Sequence, residues 1–322
     1  MLKFQPPTKD DGNVFLEDTD RPLPDVLNPN TRYLFLGTIA KGGKSLISSV
    51  KDMHLSRVVA YKTLRPEFVD DEIEQTRLLR EARVSAMLQH PNTVPVYEIG
   101  RNRQGHTYFT MKQIHGYTLR EIIDYRARYD LSQLIEVIEQ VAQALAYAHT
   151  HGVVHRDIKP ENILIGPYGE VLLLDWGLAK VWSKDGGSTD ETTHEEKHLD
   201  DTGKTMTGHG KAQGTLCYMS PEQIRRDPEI NFSTDIYSFG SVLYEILSGQ
   251  TPFDSDKVYE LTDAVQKDEP PTPSEVSKYP VPKTLENLCL KCLNKDPARR
   301  PESMKEVILT LNQNWLDELL AR

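Results

Sequence analysis

A chain of 322 residues with 38 % hydrophobic and 27 % charged residues spread along it has the composition of an ordinary folded protein, and disorder of the whole chain is excluded. Thirty-eight Lys and Arg against 48 Asp and Glu leave a formal net charge of −10, which argues against nucleic acid or an anionic lipid surface as a partner. Cys217, Cys289 and Cys292 are too few, and odd in number, for a disulfide framework, so a reducing, cytoplasmic setting is expected.

Residues 1–31, rich in Pro, Asp and Asn, read as an extended lead-in without the apolar core of a signal peptide, and the fold is expected to begin at Arg32. β-Branched and aromatic runs predict strands at 33–36, 58–64, 94–99 and 107–111, interrupted by a helix over 71–88 that ends ahead of His90-Pro91. Beyond Gly116 the period changes. Leu134, Val137, Val141, Leu145 and Ala148 recur at helical steps from a Ser132 cap to Gly152. A further helix over 233–247 is apolar on most sides, through Ile236, Phe239, Val242, Leu243, Ile246 and Leu247, and is therefore expected to be buried. Residues 183–213, dense in Asp, Glu, Thr, Gly and His, predict a long exposed loop. No stretch approaches the roughly 18 apolar residues of a membrane span. A strand-rich front and a helical back, joined near 112–116, give an α+β chain of two lobes with a ligand expected at the seam.

The densest chemical signal is His155-Arg156-Asp157-Ile158-Lys159-Pro160-Glu161-Asn162, followed by two short apolar runs around Gly166-Pro167-Tyr168-Gly169 and ending at Asp175. Two strands around such a turn form a hairpin, so Asn162 and Asp175 meet at its open end. An amide oxygen and a carboxylate without Cys or His beside them suit a hard cation such as Mg2+, with phosphate completing its shell. Asp157 can face the same spot and orient a substrate hydroxyl, and Lys159 can neutralise a transferring phosphate.

This run resembles the catalytic loop and metal-binding Asp-Phe-Gly of protein kinases, here Asp175-Trp176-Gly177. Val59-Ala60-Tyr61-Lys62 is similar to the third-strand motif of that family, and Arg80-Glu81-Ala82 falls where the partner glutamate belongs, which implies a Lys62–Glu81 ion pair. Ser220-Pro221-Glu222, residues 235–240 and Arg300 match further marks, the arginine as partner of Glu222, and the set looks most like bacterial serine/threonine kinases. The resemblance implies a two-lobed kinase domain over 32–322, with an N-lobe at 32–111, a hinge at 112–116, a C-lobe at 117–322 and an activation segment at 175–222. It also implies ATP and Mg2+ as cofactors and a protein as substrate. Met111 takes the gatekeeper position, the backbone of Lys112 and Ile114 the adenine edge, and Ile39, Ile47, Ala60 and Leu164 the adenine faces.

The glycine-rich loop departs from the family. Its three glycine positions fall on Ala40, Gly42 and Ser45, so only the middle one is kept, and Gly43 and Lys44 stand to compensate, the lysine by charge. A Walker A reading of Gly43-Lys44-Ser45 fails, because position 38 is Thr and the residues that follow do not open a helix. Cys289 and Cys292 have zinc-like spacing but sit in a helical pattern without a second pair. His194 and His198 read as solvated, and Trp315, Leu316, Leu319 and Leu320 as a stripe packed on its own lobe.

The implied function is transfer of the γ-phosphate of Mg-ATP to Ser or Thr hydroxyls of proteins. A nucleotide-binding pseudokinase scaffold and a small-molecule kinase are the alternatives. Arg156, ahead of the catalytic aspartate, implies control by a phosphate in the 183–213 loop, with Thr205 and Thr207 as the sites.

Overall fold

The computed structural model describes residues 31–182, 214–228 and 230–320, with Pro22 and Asn28 ahead of them. Residues 33–111 carry an antiparallel sheet ordered β1 (Tyr33–Lys41), β2 (Ser45–Asp52), β3 (Arg57–Leu64), β5 (Thr107–Met111), β4 (Val96–Arg101). Strand β2 is missing from the strands expected above. Its inward positions include Ser48 and Asp52, so polar residues hide the apolar alternation, and Asp52 tolerates burial because Arg32 donates from Nε and NH2 to its two oxygens at 3.0 and 2.8 Å. Helix α1 (Glu72–Met87) crosses between β3 and β4, capped by Asp71, whose carboxylate accepts from the backbone of Ile73 and Glu74. Leu78 and Ala82 on its inner face pack with Leu64 and Phe109 in a small core.

The remainder is helical around two long elements. Helix α3 (Leu131–Thr150), which follows the short β6 (Tyr117–Thr118) and α2 (Leu119–Asp124), buries Leu134, Val137, Val141, Leu145 and Ala148 completely. Its cap is Asp130 rather than Ser132: the carboxylate accepts from the Gln133 N–H, and the Ser132 hydroxyl donates to that carboxylate instead of to the helix end. After β7 (Val153–Val154), β8 (Ile163–Ile165), β9 (Val171–Leu173), β10 (Lys180–Val181) and α4 (Pro221–Ile224) comes α5 (Phe232–Ser248), buried from Thr234 to Ser248 and closed by Gly249 at φ 81°. Around it lie α6 (Val258–Lys267), α7 (Pro273–Val276), α8 (Lys283–Cys292), α9 (Met304–Leu311) and α10 (Leu316–Leu320).

Helices α5 and α8 approach so closely that a Cβ on Gly240 would sit 2.5 Å from the Cβ of Cys292. Cys289 and Cys292 are accordingly small buried packing residues, both free thiols. Trp315 is buried with its Nε1–H donated to Leu311 O at 2.9 Å, and Leu319 packs against the same core while Leu316 is exposed. His194 and His198 lie outside the described residues. Among the described residues no helix is long and apolar enough to cross a membrane.

One buried ion pair ties α4 to the far end of the chain. Arg300 donates from NH1 and NH2 to the two oxygens of Glu222 at 2.6 and 2.9 Å, Thr234 Oγ1 donates to the same carboxylate at 2.8 Å, and Arg300 also donates to Ser233 O and Asn294 O. Glu222→Ala or Arg300→Ala, which strands one charge, is expected to cost about 3–5 kcal/mol in urea unfolding, and Glu222→Gln with Arg300→Met to recover most of it. A single-variant loss below about 1 kcal/mol would show that water reaches the site.

Candidate active site

Strand alternation puts Ala60, Lys62 and Leu64 of β3 on the buried face, and Lys62 there meets Glu81 at the middle of α1. Lys62 Nζ donates to both Glu81 oxygens, at 2.5 and 2.7 Å. Burial pushes the ammonium pKa down, but Glu81 and Asp175 more than offset this and hold it above the ordinary value. Burial raises the Glu81 carboxyl to about 7 against the pull of Lys62. Lys62, held by two carboxylates, is the firmly charged member of the set.

The catalytic loop is fixed through its backbone. Asp235, fully buried on α5, accepts from the His155 N–H at 2.8 Å and the Arg156 N–H at 2.9 Å, and His149 Nε2 lies 2.8 Å from the same carboxylate. These bonds hold Arg156 at φ 71°, in the left-handed region, and Gln223 Nε2 donates to its carbonyl at 2.7 Å. The His155 ring joins both sides of the site: Nδ1 accepts from the Asp157 N–H at 3.2 Å, so Nε2 carries the hydrogen donated to Leu174 O at 2.9 Å. Its edge meets the wholly buried Trp176 ring with centroids 4.4 Å apart.

Asp157, Lys159 and Asn162 converge as expected. Lys159 Nζ donates to both Asp157 oxygens at 2.9 and 2.8 Å and lies 3.4 Å from Thr215 Oγ1. Asn162 Nδ2 donates to Asp157 O at 2.8 Å and Oδ2 at 3.0 Å, so the amide nitrogen is spent on Asp157 and the side-chain oxygen, an acceptor, is the atom left over. The β8–β9 hairpin pairs Ile163 with Leu173, and the Leu174 N–H donates to Asn162 O at 2.8 Å, so Asp175 sits at the open end beside Asn162. Asp175 has φ 60° and accepts from the Gly177 N–H at 3.3 Å. Burial raises both aspartates. In Asp175 burial is the largest single influence, but Lys62, the Gly177 N–H, His155 and Lys159 together outweigh it and the pKa is lowered, whereas in Asp157 burial wins over Lys159 and the pKa is raised.

Around the cleft, sheet register pairs Ala60 with Met111 and Ile47 with Lys62, and Thr118 pairs with Leu164 just past residues 112–116. A Cβ at Gly116 would lie 2.2 Å from Ile165 O, so the connection between the lobes runs tight against β8. The Lys112 N–H donates to Pro95 O at 3.0 Å; Ile114 is half-buried and Ile39 exposed. The β1–β2 turn carries Gly42, whose N–H donates to Ser45 O at 2.9 Å. Lys44 does not point to the cleft as a free charge. It pairs with the buried Glu74 of α1, which also binds Arg77, while Arg65 donates to Gly43 O at 3.0 Å.

With this geometry in hand, the protein kinase domain family matches residues 33–316. The chain belongs to the protein kinase family. Similar curated proteins include serine/threonine-protein kinase PknD of Protochlamydia amoebophila (strain UWE25), 35 % identical over 88 % of this chain and 30 % of that protein. Serine/threonine-protein kinase pkn3 of Myxococcus xanthus is 33 % identical over 84 % of this chain and 48 % of its own length. Serine/threonine-protein kinase PrkC of Bacillus subtilis (strain 168) is 34 % identical over 86 % and 39 %. The chain thus spans about a third to a half of the length of these relatives. Kinases of this family use ATP and a divalent metal. Sequence reasoning missed the holding roles of Asp235, His155 and Gln223, each of which rests on a contact between distant segments. Thr205 and Thr207 lie outside the described residues.

Because Lys44 is spent on Glu74, Lys44→Ala is expected to change the apparent Michaelis constant for ATP by less than about threefold, since a bound charge contributes little elsewhere. A rise above about tenfold in steady-state kinetics would mean that the lysine leaves α1 to meet phosphate.

Proposed function

We propose that this kinase transfers the γ-phosphate of Mg-ATP to serine or threonine hydroxyls of protein substrates, in the cytoplasm. The observation that carries the reading is the Asp157, Lys159, Asn162 and Asp175 cluster facing a closed Lys62–Glu81 pair. In the reaction the acceptor oxygen bonds to the γ-phosphorus, the bond from that phosphorus to the β,γ-bridging oxygen breaks, and ADP leaves. The hydroxyl proton passes towards Asp157, whose carboxylate orients the attacking oxygen. Lys159 bridges Asp157 and Thr215, so it stands beside both the acceptor and the arriving phosphoryl group. Lys62, kept protonated, holds the α and β phosphates.

The free oxygen of Asn162 and the carboxylate of Asp175 are hard donors, the pattern that suits Mg2+, and they would hold it. When bound, the metal supplies positive charge at the phosphate oxygens. The Lys112 carbonyl and the Ile114 backbone would bind the adenine edge between Ile39, Ile47, Ala60 and Leu164, with Met111 behind them and Gly42 in the covering turn. The Ser/Thr choice is supported by the Lys159–Thr215 contact and by the names of the relatives. Domain limits of 32–322, with the lobes meeting at 112–116, and phosphorylation of Thr205 and Thr207 as the control belong to the same reading.

Incubation with γ-labelled ATP, Mg2+ and a generic protein, followed by phosphoamino-acid analysis, should give phosphoserine and phosphothreonine. Asp175→Ala should lose the signal by at least about 10³-fold while remaining folded, since several kcal/mol of charge stabilisation go with the ligand. Phosphotyrosine as the main product, or a folded Asp175→Ala variant of full activity, would contradict the proposal.

A further inference from the structure

The transfer reaction leaves one buried carboxylate beside the catalytic loop without a task. Glu245 projects from α5, its side chain only 4 % exposed, and its Oε2 accepts from Tyr218 OH at 2.5 Å and from Arg120 NH2 at 2.6 Å. The same Arg120 NH2 lies 2.8 Å from Tyr218 OH, Arg120 Nε lies 3.3 Å from Glu161 Oε1, and NH1 lies 3.6 Å from Asp124 Oδ1. Four segments therefore meet on one guanidinium: α2, the catalytic loop two residues past Lys159, the stretch three residues past Thr215, and α5.

The position is as informative as the bonds. Lys159 reaches Thr215 at 3.4 Å, which sets the catalytic loop against the segment leading to α4, and Glu161 and Tyr218, two and three residues further along those same segments, meet on Arg120. The mouth is open to solvent, since Glu161 is 46 % and Asp124 57 % exposed, while Arg120 itself is 27 % exposed. Without Arg120, a buried carboxylate, a half-exposed carboxylate and a phenol would share this partly exposed site with no cation among them. That set would take a guanidinium or ammonium from a peptide, because planar bidentate recognition of carboxylates is what an arginine side chain provides. With Arg120 present, its own donors already occupy those acceptors.

We propose that Arg120 is a specificity-determining residue, filling from within the chain an acidic subsite formed by Glu161, Glu245 and Tyr218 and so removing any demand for a basic side chain at that position of the substrate. The inference rests on the protein-kinase reading of the site. Burial lowers the Arg120 pKa, but Glu245, Tyr218 and Glu161 more than offset it, so the guanidinium remains a fixed charge. The consequence is tolerance at this substrate position, which one substitution would change.

A positional peptide library phosphorylated with labelled ATP tests this on the whole chain. At the position where loss of Arg120 opens the subsite, wild type should show less than about threefold preference for Arg or Lys. Arg120→Ala should gain about 10- to 100-fold in kcat/KM for a basic residue at one position, carried mainly by KM, as expected for one charge-assisted contact regained. Arg120→Ala with Glu245→Gln removes the stranded buried charge, and adding Glu161→Gln to it should return the profile to flat. Strong basic selection by wild type at the position where Arg120→Ala, or Arg120→Ala with Glu245→Gln should the single variant fail to fold, gains it would overturn the proposal, as would a flat profile from either active variant. No transfer by wild type to any peptide or protein would instead count against the kinase reading itself.

Discussion

The active site depends on one buried carboxylate that never touches a substrate. Asp235 accepts from three donors, two of them backbone N–H groups of the catalytic loop 80 and 79 residues away in sequence, and His149 supplies the third. Burial alone would raise its pKa, yet the His149 bond and the backbone donors hold it below the usual carboxylate range, so it stays ionised. A charge in that place aims the N–H groups of His155 and Arg156 inward and fixes the left-handed turn at Arg156. Asp157 follows directly, and its orientation is inherited from that turn. The apolar helix α5 is thus more than a core element: it is the rigid post to which the reactive loop is fastened.

The same post serves the substrate side. Glu245 lies ten residues beyond Asp235 on α5 and binds Tyr218 and Arg120, while Thr234 and Ser233 at its start engage the Glu222–Arg300 pair. The segment after residue 214 is therefore fixed at both Tyr218 and Glu222 to one helix. Facing it, the Lys62–Glu81 pair ties the sheet to α1, and Lys44 with Glu74 ties the β1–β2 turn to that same helix. Motion of α1 would carry the Lys62 ammonium and the β1–β2 turn together, since both are tied to carboxylates of that one helix.

Much of this was legible in the sequence where chemistry and local period coincide. The run 155–162 with Asp175 announces its hairpin through two apolar triplets and a glycine turn, and the structure brings Asn162 and Asp175 to its open end. Helix α5 is readable from its uninterrupted apolar faces. Strand β2 was obscured because Ser48 and Asp52 point inward, and the cap of α3 fell two residues early because Asp130 outcompetes the Ser132 hydroxyl, which it binds. Lys44 reads as compensating the loop by charge because nothing local reveals Glu74 30 residues away. The contacts of Asp235, Gln223 and Arg120 share that cause: each is made with partners on other segments, and neither periodicity nor spacing records them.

Asp235→Asn most directly tests whether the catalytic loop is held from α5. The amide keeps the volume and one acceptor oxygen but turns an NH2 group towards a donor, so it should distort the loop without emptying the core. Phosphate transfer is predicted to fall at least about tenfold in kcat with the Michaelis constant for ATP changed less than about threefold, in a variant that still unfolds cooperatively. Wild-type turnover from folded Asp235→Asn would contradict the account.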